Sequence, residues 1–371
     1  MKRWLSRLAA LLAILGVGGF LIIVSGLVPI KASSGHWAIT EMFLDFTKRR
    51  SVATHSIGIE APPLDNPAMV LKGAGHFENG CGPCHGRPGE PAPRIPQAMT
   101  PAAPPLASRI GRWSPAELFH IVKHGIKFTG MPAWPAPQRD DEVWAMVAFL
   151  RVLPELDGAG YRRLVNGAAS AIPTAPVPAA VTGSCSRCHG LDGLGREGGA
   201  FPGLAGQSET YLSSALRAFA GGARHSGIME PIAAGLDDQT MRDLARYYAG
   251  LAPRRAGPFG PAGTSAERAA GLAGTAGQDA RGAEIAGRGI PARKVPSCSD
   301  CHGPAKTDRN PAYPVLAGQL PEYLVLQLGL FARGARGGSA YSHLMPPVAA
   351  ALTAEEMAAV ARYYASLSPN P

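Results

Sequence analysis

A chain of 371 residues with 46 glycines, 35 prolines and 7% aromatic side chains suits short helices joined by long loops, with room for two or three modest domains. The formal charge is +9, from 36 Lys and Arg against 27 Asp and Glu. No run of bases with interleaved aromatics occurs, so the basic balance does not point to a nucleic-acid partner.

Residues 8–30 carry no charged side chain and are mostly Leu, Ile, Val, Ala and Gly, long enough to cross a bilayer as a helix. Lys2, Arg3 and Arg7 precede the run, which places the N-terminus inside and the rest of the chain on the periplasmic side of the inner membrane. The competing reading is a cleaved signal peptide. Its apolar stretch is usually about 7–15 residues, and Val28-Pro29-Ile30-Lys31-Ala32 makes a poor cleavage site, so a retained anchor over residues 1–30 is expected. Residues 31–69 form a juxtamembrane segment. Within it, Trp37, Met42, Phe43 and Phe46, followed by Lys48-Arg49-Arg50, fit a short amphipathic helix on the membrane surface. A strap against the next domain or against another membrane subunit fits equally. His36 and His55 are read as surface residues.

The six cysteines fall in three strings: Cys81-Gly82-Pro83-Cys84-His85, Cys185-Ser186-Arg187-Cys188-His189 and Cys298-Ser299-Asp300-Cys301-His302. Two thiols followed at once by an imidazole form the attachment signature of a c-type haem. A redox disulfide or half of a zinc site would use the same Cys-x-x-Cys, but no further cysteines remain to complete a zinc set. The expectation is three covalent haem c groups, on Cys81 and Cys84, Cys185 and Cys188, and Cys298 and Cys301. His85, His189 and His302 would be the proximal iron ligands. Without the three N-terminal bases the charge is about +6, and two propionates per haem would cancel most of it. The fold class that follows is all-α: three small domains at 70–157, 181–253 and 280–371, each wrapped on one haem that staples it. Linkers are expected at 158–180 and 254–279.

In the first domain a short helix leads into Cys81 and a Pro-rich loop follows. Ser114-Pro115-Ala116-Glu117 then has the form of a capping box. Asp140 or Asp141 should cap a closing helix through Leu153. The other two domains are copies: Phe201-Pro202-Gly203-Leu204-Ala205-Gly206-Gln207 matches Tyr313-Pro314-Val315-Leu316-Ala317-Gly318-Gln319, and Arg246-Tyr247-Tyr248-Ala249 matches Arg362-Tyr363-Tyr364-Ala365.

This register aligns Met131, Met229 and Met345 at one place before each closing helix, 46, 40 and 43 residues after their histidines. Each has proline one or two residues on, which fits a ligand held on a strand-like segment. They are read as distal iron ligands, whereas Met146, Met241 and Met357 are read as core. His120, His124, His225 and His343 are the rival distal ligands; the last two share no register.

This order of elements resembles the class I cytochromes c, and residues 181–371 resemble the tandem diheme cytochromes of the c-four type. The first domain is similar to single-haem domains of oxidase-linked cytochromes around Phe128-Thr129-Gly130-Met131-Pro132. The resemblance implies an electron carrier of the respiratory chain, passing electrons from a quinol-oxidising complex or a dehydrogenase to a terminal oxidase. The alternative is the electron-accepting cytochrome subunit of a periplasmic membrane-bound dehydrogenase. A third reading is a haem enzyme with one open iron, against which the three positioned methionines argue. No nucleotide fingerprint or spare acid–base constellation was found, so no catalytic residue is assigned.

Overall fold

The computed structural model describes residues 2–28, 30–167, 177–254, 276–303 and 309–369. Among them no strand occurs. Only two isolated bridges, Arg196 with Phe201 and Ile290 with Val295, break the helical pattern. The first helix, α1 (Lys2–Val24), is apolar and long enough to cross a membrane, and none of it is buried against the rest of the protein. The three expected bases lie within its first turns. The charge-free run stops being helical before Gly26, which takes φ +71°.

The helix α2 (Ala38–His55) buries only Val52. Ile39, Met42, Phe43 and Phe46 recur at helical spacing and stay exposed, while its C-terminal end packs on the first unit of the remaining chain.

Buried side chains then fall into three clusters. The first gathers α3 (Pro67–His76), α4 (Pro115–His124), α5 (Asp140–Val152) and α6 (Gly158–Asn166). Three of these four starts carry a side-chain cap. Asn66 accepts from the Ala68 N–H at 2.9 Å, with Pro67 at the first position. Ser114 and Glu117 make the expected capping box. The α5 expectation fails: Arg139 precedes the helix, and neither Asp140 nor Asp141 caps it. The Asp141 carboxylate is taken by Arg139 and by Lys72, so it is not free to turn back on the backbone. The helix α6 occupies the start of the segment expected to be a linker. Its Tyr161 and Val165, four residues apart, are 2% exposed and complete the first core.

The second cluster gathers α7 (Glu209–Ala220) and α9 (Asp238–Ala249), with α8 (Met229–Ala234) packed on α7. The third gathers α10 (Ala276–Arg288), α11 (Pro321–Ala332), α12 (Met345–Ala350) and α13 (Ala354–Ser366). The other expected linker, 254–279, lies largely outside the described residues, and its end is already the first turn of α10.

Opening and closing helices cross the same way in the first and third units. A methyl built on Gly73 would stand 2.2 Å from the Ala145 carbonyl oxygen, and one on Gly282 2.2 Å from that of Ala359. Only glycine lets these backbones approach so closely.

The second and third units meet face to face through reciprocal bonds. Gln207 donates to the Val315 carbonyl at 2.7 Å and accepts from its N–H at 2.9 Å; Gln319 does the same with Gly203, at 2.9 Å both ways. The repeated Leu-Ala-Gly-Gln segment therefore forms a pseudo-twofold seam. The first unit docks on the second: Gly75 of α3 lies against Phe201 and Cys188, and Arg187 reaches Asn79.

Candidate functional site

Each Cys-x-x-Cys-His string ends in a single helical turn, Gly82–His85, Ser186–His189 or Ser299–His302. The next residue is a glycine with φ between +72° and +79° in all three, so the chain reverses immediately behind the imidazole. The ring is then fixed by the same contact three times. Nδ1 lies 2.9 Å from the Pro104 carbonyl for His85, 3.1 Å from Pro202 for His189 and 3.0 Å from Pro314 for His302. A carbonyl only accepts, so Nδ1 carries the proton and Nε2 presents its lone pair. Burial holds His189 and His302 below the ordinary imidazole range, which keeps them neutral as a metal ligand must be.

In the second and third units a tyrosine of the closing helix braces the same turn. Tyr248 donates to the Gly190 carbonyl at 3.3 Å and Tyr364 to that of Gly303 at 3.1 Å. Burial pushes Cys81 up to about 12 and Cys185, Cys188 and Cys298 up to about 11. These are neutral thiols rather than metal-binding thiolates. Among the described residues no group of three His, Cys, Asp or Glu is arranged to hold a bare metal ion.

One cavity of about 630 Å³ joins the facing units, and His189, Met229, His302 and Met345 all line it. Its walls are mainly apolar, as suits a large flat ligand. Arg224 and Arg336 also line it, half-buried. Arg224 donates to the Tyr323 hydroxyl and Arg336 to that of Tyr211, each at 3.1 Å. Among the described residues neither guanidinium is ion-paired with a carboxylate, so the cavity offers two cations to an anionic ligand edge, as haem propionates would provide. Thiols, neutral imidazoles, apolar walls and these cations together fit a haem.

Met229 and Met345 are the first residues of α8 and α12, not part of strand-like segments as their following prolines implied. Pro346 and Pro347 occupy the first turn of α12, where a missing N–H costs nothing. Met131 lies outside any helix, where its N–H bonds Thr129 Oγ1 at 3.1 Å and its carbonyl accepts from Ile126. Met146 and Met241 are buried and Met357 packs on the third core.

Of the rival ligands, His343 is exposed and outside the lining of that cavity, whereas His225 lines it beside Met229. His120 and His124 lie 4.7 Å apart between ring centres at the joint with α2, where His120 stacks on the exposed His55 at 5.7 Å. Sequence reasoning missed the proline carbonyls, the paired glutamines and Arg224 and Arg336. The repeat had already placed most of them in register, and that was the available signal.

The comparisons agree with this geometry. Residues 68–150 match the family model described as cytochrome c oxidase, cbb3-type, subunit III, and residues 177–252 match that of cytochrome c. The thiosulfate dehydrogenase electron acceptor of Stutzerimonas stutzeri strain A1501 is 38% identical over 51% of this chain and 81% of its own length. Its namesake from Thiomonas intermedia strain K12 is 34% identical over 51% and 80%. The cytochrome c4 of Pseudomonas aeruginosa is 30% identical over 55% of this chain and 93% of its own. A helical fold that repeatedly presents Cys-x-x-Cys-His with a carbonyl-held imidazole, and that shares most of the length of these relatives, is a c-type cytochrome with covalent haem, and the chain belongs to the family of the diheme cytochrome c4.

Proposed function

We propose that the chain is a triheme electron carrier, tethered by α1 to the inner membrane with its haem units in the periplasm. Haem c is attached at Cys81 and Cys84, Cys185 and Cys188, and Cys298 and Cys301, with axial pairs His85 and Met131, His189 and Met229, and His302 and Met345. The observation that carries this reading is the Nδ1-to-proline contact repeated at all three histidines, which aims three equivalent Nε2 lone pairs. The bound haem supplies reversible one-electron chemistry at iron. With both axial positions filled by side chains, no site is left for bond chemistry, so the chain carries electrons and is not itself an enzyme.

Electrons would enter from a periplasmic dehydrogenase or a quinol-oxidising complex and leave towards a terminal oxidase. Two likenesses support this direction. The first unit matches the oxidase-subunit model, and two relatives that share half of the chain are named as electron acceptors of thiosulfate dehydrogenase. Those relatives also favour a second reading, in which the chain is the cytochrome subunit of a dehydrogenase complex. The exposed apolar face of α2, next to α1, fits a helix lying on the headgroups.

Substituting Met131 by Ala tests the ligand set. That haem's potential should fall and its iron should bind carbon monoxide, while the other two stay unreactive. An unchanged redox titration would overturn the assignment.

A further inference from the structure

The first unit reaches into the loop that carries the second unit's methionine. Glu142, in the first turn of α5, is 3% exposed, and its carboxylate serves four donors. One oxygen accepts from Ser226 Oγ at 2.7 Å and pairs with Arg139 at 2.9 Å. The other accepts from the Gly227 N–H at 2.7 Å and from the Trp134 indole at 3.3 Å. Arg139, 6% exposed, donates in turn to the His225 carbonyl at 2.7 Å.

Residues 225–227 are thus gripped by a different unit of the chain, and the grip passes directly to Met229. Ser226 Oγ accepts from the Met229 N–H at 3.1 Å and the Ile228 N–H at 3.3 Å, and the Ser226 N–H is held by Glu230 at 2.8 Å. Among the described residues, no carboxylate of another unit bonds the matching stretch before Met345. Ser342, in register with Ser226, donates to Ser339 of its own loop at 2.8 Å.

We propose that Glu142 is a positioning residue for the second haem. By fixing Ser226 and Gly227 it sets the approach of the Met229 thioether to iron, so docking of the first unit tunes the ligation and potential of its neighbour. This rests on Met229 being that haem's distal ligand. A buried carboxylate that donors fully satisfy holds its loop far more tightly than solvent-exposed backbone would. A thioether is a soft neutral ligand whose bond depends on where its backbone places it.

The test uses the full haem-loaded chain and reads the far-red absorption band of the oxidised iron–thioether bond, carbon monoxide binding and a redox titration. E142A should lose up to about one third of the band, one iron of three, with carbon monoxide taken up to the same extent and one potential lowered. E142Q, which keeps one acceptor oxygen, should fall between E142A and the parent. S226A, which removes one hydroxyl and leaves the core intact, should move the same signals in the same direction and decides the matter if E142A does not accumulate. S342A should change none of them. The proposal is overturned if E142A and S226A keep the parent band and stay inert to carbon monoxide while M229A loses its third. If M229A itself leaves the band whole, the ligand reading fails instead, and the proposal falls with it.

Discussion

The loops that precede Met229 and Met345 descend from one repeated sequence but are held in opposite ways. The second unit's loop is short and tied from outside, by Glu142 and Arg139 of the first unit. The third unit's loop is longer by four residues; Arg336 at its start bonds Tyr211 of the second unit, but beside the methionine Ser342 bonds its own loop in the one-turn helix Ser342–Leu344. Position 227 records the divergence. A methyl on Gly227 would lie 2.2 Å from the Trp134 indole nitrogen, whereas the register partner His343 is exposed. The difference teaches that two copies of one repeat can hold the segment before their methionine by different contacts, one set of them supplied by a further unit.

Exchanging the two register partners should break this asymmetry most severely. G227H drives an imidazole into Trp134 and should cost about 3 kcal/mol or more, since overpacking a closed core is felt at once. H343G should cost well under about 1 kcal/mol, as expected of an exposed site. Thermal unfolding of the two variants against the parent measures both, and equal losses would remove the comparison.

Acid should act on the first unit through His76, whose ring packs 4.5 Å from Trp134. Burial, with Lys72 adding to it, holds this imidazole down to about 4 from its ordinary 6.5. Its folded value is depressed, so folding takes up no proton there. The neutral ring's contribution is complete above about pH 6.5 and is lost as pH falls towards 4, up to about 3 kcal/mol. Asp141 is held well below the ordinary carboxylate range: burial opposes ionisation, but the Arg139 and Lys72 contacts outweigh it, so its own loss comes at still lower pH. Stability curves at pH 7 and pH 4.5 should therefore separate for the parent and converge for His76→Phe. A parent curve flat across that window would contradict the assignment.

The seam between the second and third units should behave symmetrically, unlike the loops. Gln207→Ala and Gln319→Ala each remove two backbone bonds across the seam and leave those groups unpaired, at about 1–3 kcal/mol apiece. Their effects should match within about 0.5 kcal/mol. A large inequality in chemical unfolding would show that the twofold is broken there as well.

Much of this was legible in the sequence because it is local. Cys-x-x-Cys-His and the Ser114 to Glu117 capping box each act within a few residues, and the repeat aligned the rest, the Tyr-Tyr pairs included. The features that escaped depend on long-range neighbours. Nothing near Glu142 announces that its acceptors serve Ser226 and Gly227, 84 and 85 residues away. The Ala- and Gly-rich stretch after Asp157 read as a linker, yet Tyr161 and Val165 give α6 enough apolar surface to be kept. The prolines after Met229 and Met345 signal a helix start as readily as a break, and only packing decides between them.

The most direct test of three carriers with His and Met on every iron is the optical spectrum of the membrane-bound, haem-loaded protein, oxidised and reduced, with and without carbon monoxide. The account predicts a far-red band in the oxidised form with intensity for three irons, lost on reduction, and no shift with carbon monoxide. A high-spin fraction, or a carbon monoxide shift in the parent protein, would mean that one iron is open and would contradict a pure electron carrier.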